Sequence, residues 1–132
     1  MREVRFHIHR KSAFAGALLP YRMYINGQYI GTIRNGKSLD ANVPKAGVYY
    51  IEDDILFSRN AVIYDNGLSE YSVVIKRAGG WRTESYNEFY MEKGNVLEQL
   101  PSFHWEKLFE LQQSMSQSCL LYTSPSPRDS TS

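Results

Sequence analysis

The sequence predicts an all-β protein: one antiparallel β-sandwich of seven or eight short strands, followed by a single C-terminal helix. Three observations carry this. Aromatic residues make up 14% of the 132 residues, ten of them tyrosine, and flat amphipathic rings suit a half-exposed pleated surface. The runs "EVRFHIHR" and "EYSVVIK" alternate apolar and polar residues, the period of a half-buried strand. Tight-turn signals, Asn26-Gly27 and Asn35-Gly36 foremost, recur at short spacing between such runs, the pattern of a sandwich or barrel.

The elements follow in chain order. In "EVRFHIHR", Val4, Phe6 and Ile8 point one way and Arg5, His7 and His9 the other. "KSAFAGALLP" is a connection of small and apolar residues. "YRMYINGQYIGTI" is a hairpin about Asn26-Gly27, because both central positions of a type I′ turn need positive φ. That two-residue loop sets Ile25 opposite Gln28, Tyr24 opposite Tyr29 and Met23 opposite Ile30. A second two-residue loop at Asn35-Gly36 sets Thr32 opposite Leu39 and Ile30 opposite Ala41. Met23, Ile30, Leu39, Ala41 and Val43 then share one continuous apolar face. Pro44, which cannot donate to a ladder, ends this strand, and Gly47 turns the chain.

"VYYI" is the next strand, and "EDDILFSRN" reads as a loop with a short strand. "AVIY" precedes the turn "DNG". "EYSVVIK" sends Tyr71, Val73 and Ile75 inward. Gly79-Gly80 turns the chain before Trp81, and "SYNEFYM" supplies the last strand. Beyond Gly94 the pattern changes. Trp105, Leu108, Phe109, Gln112 and Met115 fall at near-helical spacing, which predicts a helix from about 103 to about 117.

Composition bounds the function. Hydrophobic residues are 42% of the chain, as in a globular domain. The formal net charge is +1, too small for a domain that neutralises phosphates, so no nucleic-acid partner is expected. No stretch approaches the ~20 apolar residues of a membrane helix. The N-terminus "MREVRFHIHRK" never opens into the apolar run of a secretory signal, which makes a cytoplasmic location the default expectation. The single cysteine, Cys119, forms no internal disulfide.

The tail "CLLYTSPSPRDSTS" breaks the composition at Ser118. Residues Cys119 to Asp129 resemble the conceptual translation of a transposase adapter used in sequencing libraries, one frame of which gives these residues in order. The resemblance implies that residues 119–132 are non-native and disordered. It also implies that the natural protein continues past Ser118, into a membrane helix, a second domain or an early stop codon. The chain is therefore expected to divide into a sandwich at 1–100, a truncated helix at 101–118 and this tail.

The first half carries a further likeness. Arg10 ends a strand, Phe14 and Gly16 lie in a small loop, and Tyr21 to Ile25 form a Tyr-containing strand. Asn26-Gly27, Ile30-Gly31, Asn35-Gly36 and Pro44 to Gly47 follow in order. Over residues 6 to 52 this resembles the bacterial β-sandwich domains of unknown function related to the PEGA domains, with Pro-Lys-Ala-Gly in place of the motif that names them. The resemblance implies a transthyretin-like or immunoglobulin-like sandwich, serving as an accessory module in envelope or surface proteins. It brings no catalytic residues and no cofactor.

Three functional classes remain open from the residues. The first is a non-catalytic accessory or interaction module with a protein or glycan partner. The second is a carbohydrate-binding module that uses Tyr24, Tyr29 and Trp81 as a ligand surface. The third is a metal-binding protein or metalloenzyme built on His7 and His9, which share a strand face. A metal there needs a third ligand, for which His104 or Asp53-Asp54 are the candidates; a solvated strand face explains the pair equally. No G-x-S-x-G elbow or glycine-rich phosphate loop is present, and Glu52, Asp53 and Asp54 alternate faces, which suits them poorly to acid–base work. The chain is expected not to be an enzyme. The basic pairs Arg10-Lys11, Arg34-Lys37 and Lys76-Arg77 read as solubility and edge protection.

Overall fold

The computed structural model describes residues 2–14, 16–55, 60–79 and 85–103, the side chain of Phe103 excepted. Trp81, His104 and the rest of the helix expected from about 103 to about 117, and the tail from Cys119, lie outside the described residues. The chain forms two compact units, Met1–Ser102 and Phe103–Ser132, and the core and sites below belong to the first.

The described residues are all-β. Ten strands occur in order: β1 (Glu3–Arg10), β2 (Tyr21–Ile25), β3 (Gln28–Ile33), β4 (Ser38–Pro44), β5 (Val48–Asp53), β6 (Asn60–Tyr64), β7 (Glu70–Ala78), β8 (Tyr86–Lys93), β9 (Val96–Gln99) and β10 (Ser102–Phe103). They build two five-stranded sheets, β4-β1-β7-β8-β9 and β10-β6-β5-β2-β3. The count exceeds the expected seven or eight because β9 and β10 lie beyond Gly94, where the alternating pattern stops. β9 pairs with β8 across a two-residue loop, Lys93 opposite Val96. Gly94 has φ +61 there, at the position where type II′ hairpins place glycine.

The inward faces are those the alternation indicates. Val4, Phe6 and Ile8 of β1 are buried, as are Tyr71, Val73 and Ile75 of β7. They meet Met23, Ile25, Tyr49, Ile51, Ala61 and Ile63 of the other sheet in one apolar cluster. Phe6 and Tyr49 face each other across the two layers with ring centroids 5.1 Å apart, and Tyr71 stacks on Phe6 at 5.4 Å. Each such buried side chain contributes about 1.5–3 kcal/mol. The arrangement is sandwich-like.

Three expectations need correction. The first sheet is mixed, not antiparallel: β1 pairs β7 in parallel, Phe6 opposite Tyr71 and Ile8 opposite Val73. Period-two alternation specifies which face a residue takes, and is silent on the direction of the neighbouring strand. Met23 lies opposite Gly31, not Ile30, because a bulge follows the pairing of Tyr24 with Tyr29. Gly31 adopts φ +143 at that bulge, a conformation open chiefly to glycine.

The third correction concerns Asn35-Gly36. It is a turn, with the Lys37 amide donating to the Arg34 carbonyl at 3.0 Å, yet it does not close a hairpin. β3 and β4 belong to different sheets, and β4 pairs β1, Ala41 opposite Phe6 and Leu39 opposite Ile8. At Asn26-Gly27 both residues have positive φ, 52° and 80°; at Asn35-Gly36 only Gly36 does, at 75°. The first geometry is the type I′ turn whose twist matches paired strands, and the second lacks it. Leu39, Ala41 and Val43 still face the core, from the layer opposite Met23 rather than beside it. Pro44 closes β4 as expected, and Gly47 lies in the connection to β5 without a positive φ.

Candidate functional site

The parallel pairing gathers connections at one end of the molecule. β1 and β7 finish there together, and β4 starts there because it runs against β1. β3 leads into β4, and β5 runs with β3 because both oppose β2. The β1–β2, β3–β4, β5–β6 and β7–β8 connections all leave from this end.

Among these, the β1–β2 connection, residues 11–20, is described at all but residue 15. Phe14 is 102% exposed and Leu18 93%, with Leu19 also largely exposed. These residues are not loose. The Ala13 amide donates to Asn35 Oδ1 at 2.9 Å, and the Leu19 amide donates to the Gly16 carbonyl at 3.0 Å. The base is Arg10, the last residue of β1, which is only 2% exposed. Its guanidinium donates to three carbonyls: Leu19 at 2.6 Å, Ile33 at 3.0 Å and Gly16 at 3.0 Å. It also lies 3.4 Å over the centroid of the Tyr21 ring, a cation–π contact. Burial pulls the Arg10 guanidinium below its ordinary value, with Tyr21 opposing and Arg77 adding, and it remains a cation.

A polar cluster continues beneath. Buried Asn87 of β8 receives the Tyr21 hydroxyl at 3.2 Å and Arg77 at 3.0 Å, and donates to Asp53 Oδ2 at 2.8 Å. The Nε of Arg77 is buried without a hydrogen-bond partner. The cluster spans both sheets, so the loop rests on a floor that neither sheet provides alone.

The tyrosine pair is brought together as expected, but not as a flat platform. Tyr24 and Tyr29 have centroids 5.7 Å apart and an interplanar angle of 61°. Tyr29 is 53% exposed, and its hydroxyl lies 2.6 Å from Thr32 Oγ1; Tyr24 is half-buried. Opposite Tyr24 stands Glu52, whose carboxyl is pushed up by burial and by the neighbouring Asp53.

His7 and His9 share the outer face of β1. The Nδ1 of His7 lies 2.7 Å from Asp40 Oδ1, and that of His9 lies 2.8 Å from Ser38 Oγ. Arg5 reaches the other oxygen of Asp40 at 3.5 Å. Hydrogen bonding by His7 holds the Asp40 carboxyl below its usual range. Both histidines line a groove of about 390 Å³ with Lys11, Glu92 and Asn95. Among the described residues no group of three ligands converges on a metal position. Asp53 ends β5 in the other sheet, and Asp54 follows it, accepting the Arg22 amide at 2.9 Å.

The loop of Phe14 and Leu18 was missed as a site in the sequence, where it read as a plain connection and Arg10 as one of a solubilising pair. The usable signal was "FAGALL" between two strands: apolar residues in a segment too short to bury them. No family model, curated protein or solved structure matches the chain.

Proposed function

We propose that the chain is a non-catalytic interaction module that docks through Phe14 and Leu18. One observation carries this reading. Both side chains stand fully in solvent on a loop that a buried arginine holds in place. A single exposed apolar residue is ordinary, whereas two fully exposed ones on one short loop with a built support have the form of a binding element. Rigid support also reduces the entropy lost on association. The likeness of residues 6 to 52 to PEGA-related accessory domains of envelope and surface proteins supports the same reading.

The test is the Phe14→Ser/Leu18→Ser double variant. Its stability in urea is expected to stay within about 0.5 kcal/mol of the parent, as for surface changes. Its retention on phenyl-agarose is expected to fall. A loss of about 2 kcal/mol or more would place these side chains in the folding core, and the docking reading would fail.

A further inference from the structure

We infer that the surface this loop docks to is a lipid bilayer bearing anionic headgroups. The inference rests on the docking reading above and names its partner. Two observations select a bilayer. The first is charge. Among the described residues of the connections at this end, the charged groups are Lys11, Arg34, Lys37 and Asp54. The three cations are exposed and adjoin the apolar loop. The Arg10 amide bonds the Lys37 carbonyl, the Lys11 amide bonds the Ile75 carbonyl, and Asn35 between Arg34 and Lys37 holds Ala13. Asp54 is already engaged by the Arg22 amide.

The second observation is size and shape. Phe14, Leu18 and Leu19 project from the end of the sheets instead of forming a broad flat patch. Three such side chains are few for a stable protein interface, which buries on the order of 1,200–2,000 Å². They suit shallow insertion among headgroups and upper acyl chains, where a soft medium needs no matching pocket. Insertion and attraction to anionic lipid then act together, as two signals that are each weak alone.

The experiment is co-sedimentation of the 132-residue chain with vesicles of equal parts phosphatidylglycerol and phosphatidylcholine, against vesicles of phosphatidylcholine alone. Binding to the mixed vesicles, and much less to the neutral ones, is expected. Phe14→Ser/Leu18→Ser should weaken it at least about tenfold, from the lost apolar burial. Each of Lys11→Gln, Arg34→Gln and Lys37→Gln should weaken it by roughly fivefold, and salt at about 0.5 M should do the same more broadly.

Equal binding to both vesicles, or binding indifferent to the three cations, overturns the inference. So does concentration-dependent self-association in the ultracentrifuge that the double serine variant abolishes, since the occupant is then a second copy. If no vesicle is bound while the double variant keeps its stability and loses phenyl-agarose retention, lipid is excluded and docking stands. If the double variant unfolds, docking itself fails.

Discussion

At Arg10 one side chain does what a short loop cannot do for itself. Among the described residues of 11–20 two backbone hydrogen bonds are internal, Ala17 to Phe14 and Leu19 to Gly16, and the carbonyls of Gly16, Leu19 and Ile33 converge on the guanidinium. The planar fork of arginine fits that geometry, and a lysine point charge does not. Arg10→Ala takes a donor from three carbonyls, of which Gly16 keeps the Leu19 amide, and removes the cation over Tyr21. It is expected to destabilise the fold by about 3 kcal/mol or more in urea. Arg10→Lys should recover only part of this. Equal stability for both variants and the parent would show that the loop is held by other means. Sequence gives no access to this role: an arginine ending a strand beside a lysine looks solvated, and only the return of Leu19 and Ile33 to the same point encloses it.

Among the elements, the β2–β3 hairpin shows how far local rules reach. Asn26-Gly27 marks its turn, and the pairings of Ile25 with Gln28 and Tyr24 with Tyr29 follow from it. The bulge beyond Tyr29 does not, because its cause lies in another strand. A Cβ on Gly31 would sit 2.7 Å from Leu39 Cδ1, so the backbone turns aside where β4 approaches from the other sheet. Gly31→Ala combines that clash with a backbone conformation alanine avoids. A cost of about 1–3 kcal/mol is expected. Adding Leu39→Ala should relieve the clash and leave the backbone strain, so the double variant should lose less than the two single losses summed. Strict additivity would mean that the two residues do not meet. The Asn35-Gly36 turn carries the same lesson, since a two-residue Asn-Gly signal cannot distinguish a hairpin from a passage between sheets.

For the whole molecule, the inward faces of β1, β2, β4 and β7 were legible and the neighbours of β1 were not. Its partner β7 lies some sixty residues away, and no turn advertises a parallel pair. The loop cluster is a product of that pairing, which is why composition pointed elsewhere: a net charge of +1 conceals three exposed cations beside the apolar loop. The far end holds the layers together differently. Lys45 pairs with Asp65 at 2.9 Å, while Tyr71 and Tyr49 direct hydroxyls to the same carboxylate at 3.2 and 3.5 Å. Lys45 above all holds the Asp65 carboxyl below its ordinary value, against the opposing effect of burial. A depressed carboxyl contributes stability that is complete above its unfolded pKa, about 3.9, and is lost as pH falls through the folded value. Asp65→Asn should therefore be less stable than the parent at neutral pH, with the difference shrinking in urea titrations at about pH 3. A difference that persists unchanged in acid would rule out this carboxylate as its source.

The Asn-Gly turns have a chemical lifetime as well as a shape. In a free chain such a pair is prone to deamidate, as the glycine nitrogen attacks the asparagine amide carbon and closes a succinimide ring. Here the Asn26 side chain is held by two bonds to β5, donating to the Val48 carbonyl at 3.2 Å and accepting the Tyr50 amide at 2.8 Å. The Oδ1 atoms of Asn35 and Asn66 accept from Ala13 and Tyr71. Each bond that fixes a turn thus also restrains the rotation that ring closure requires. The three dipeptides act as clocks that run when their turns open, and mass added at each one over storage would report how often that corner of the fold comes apart.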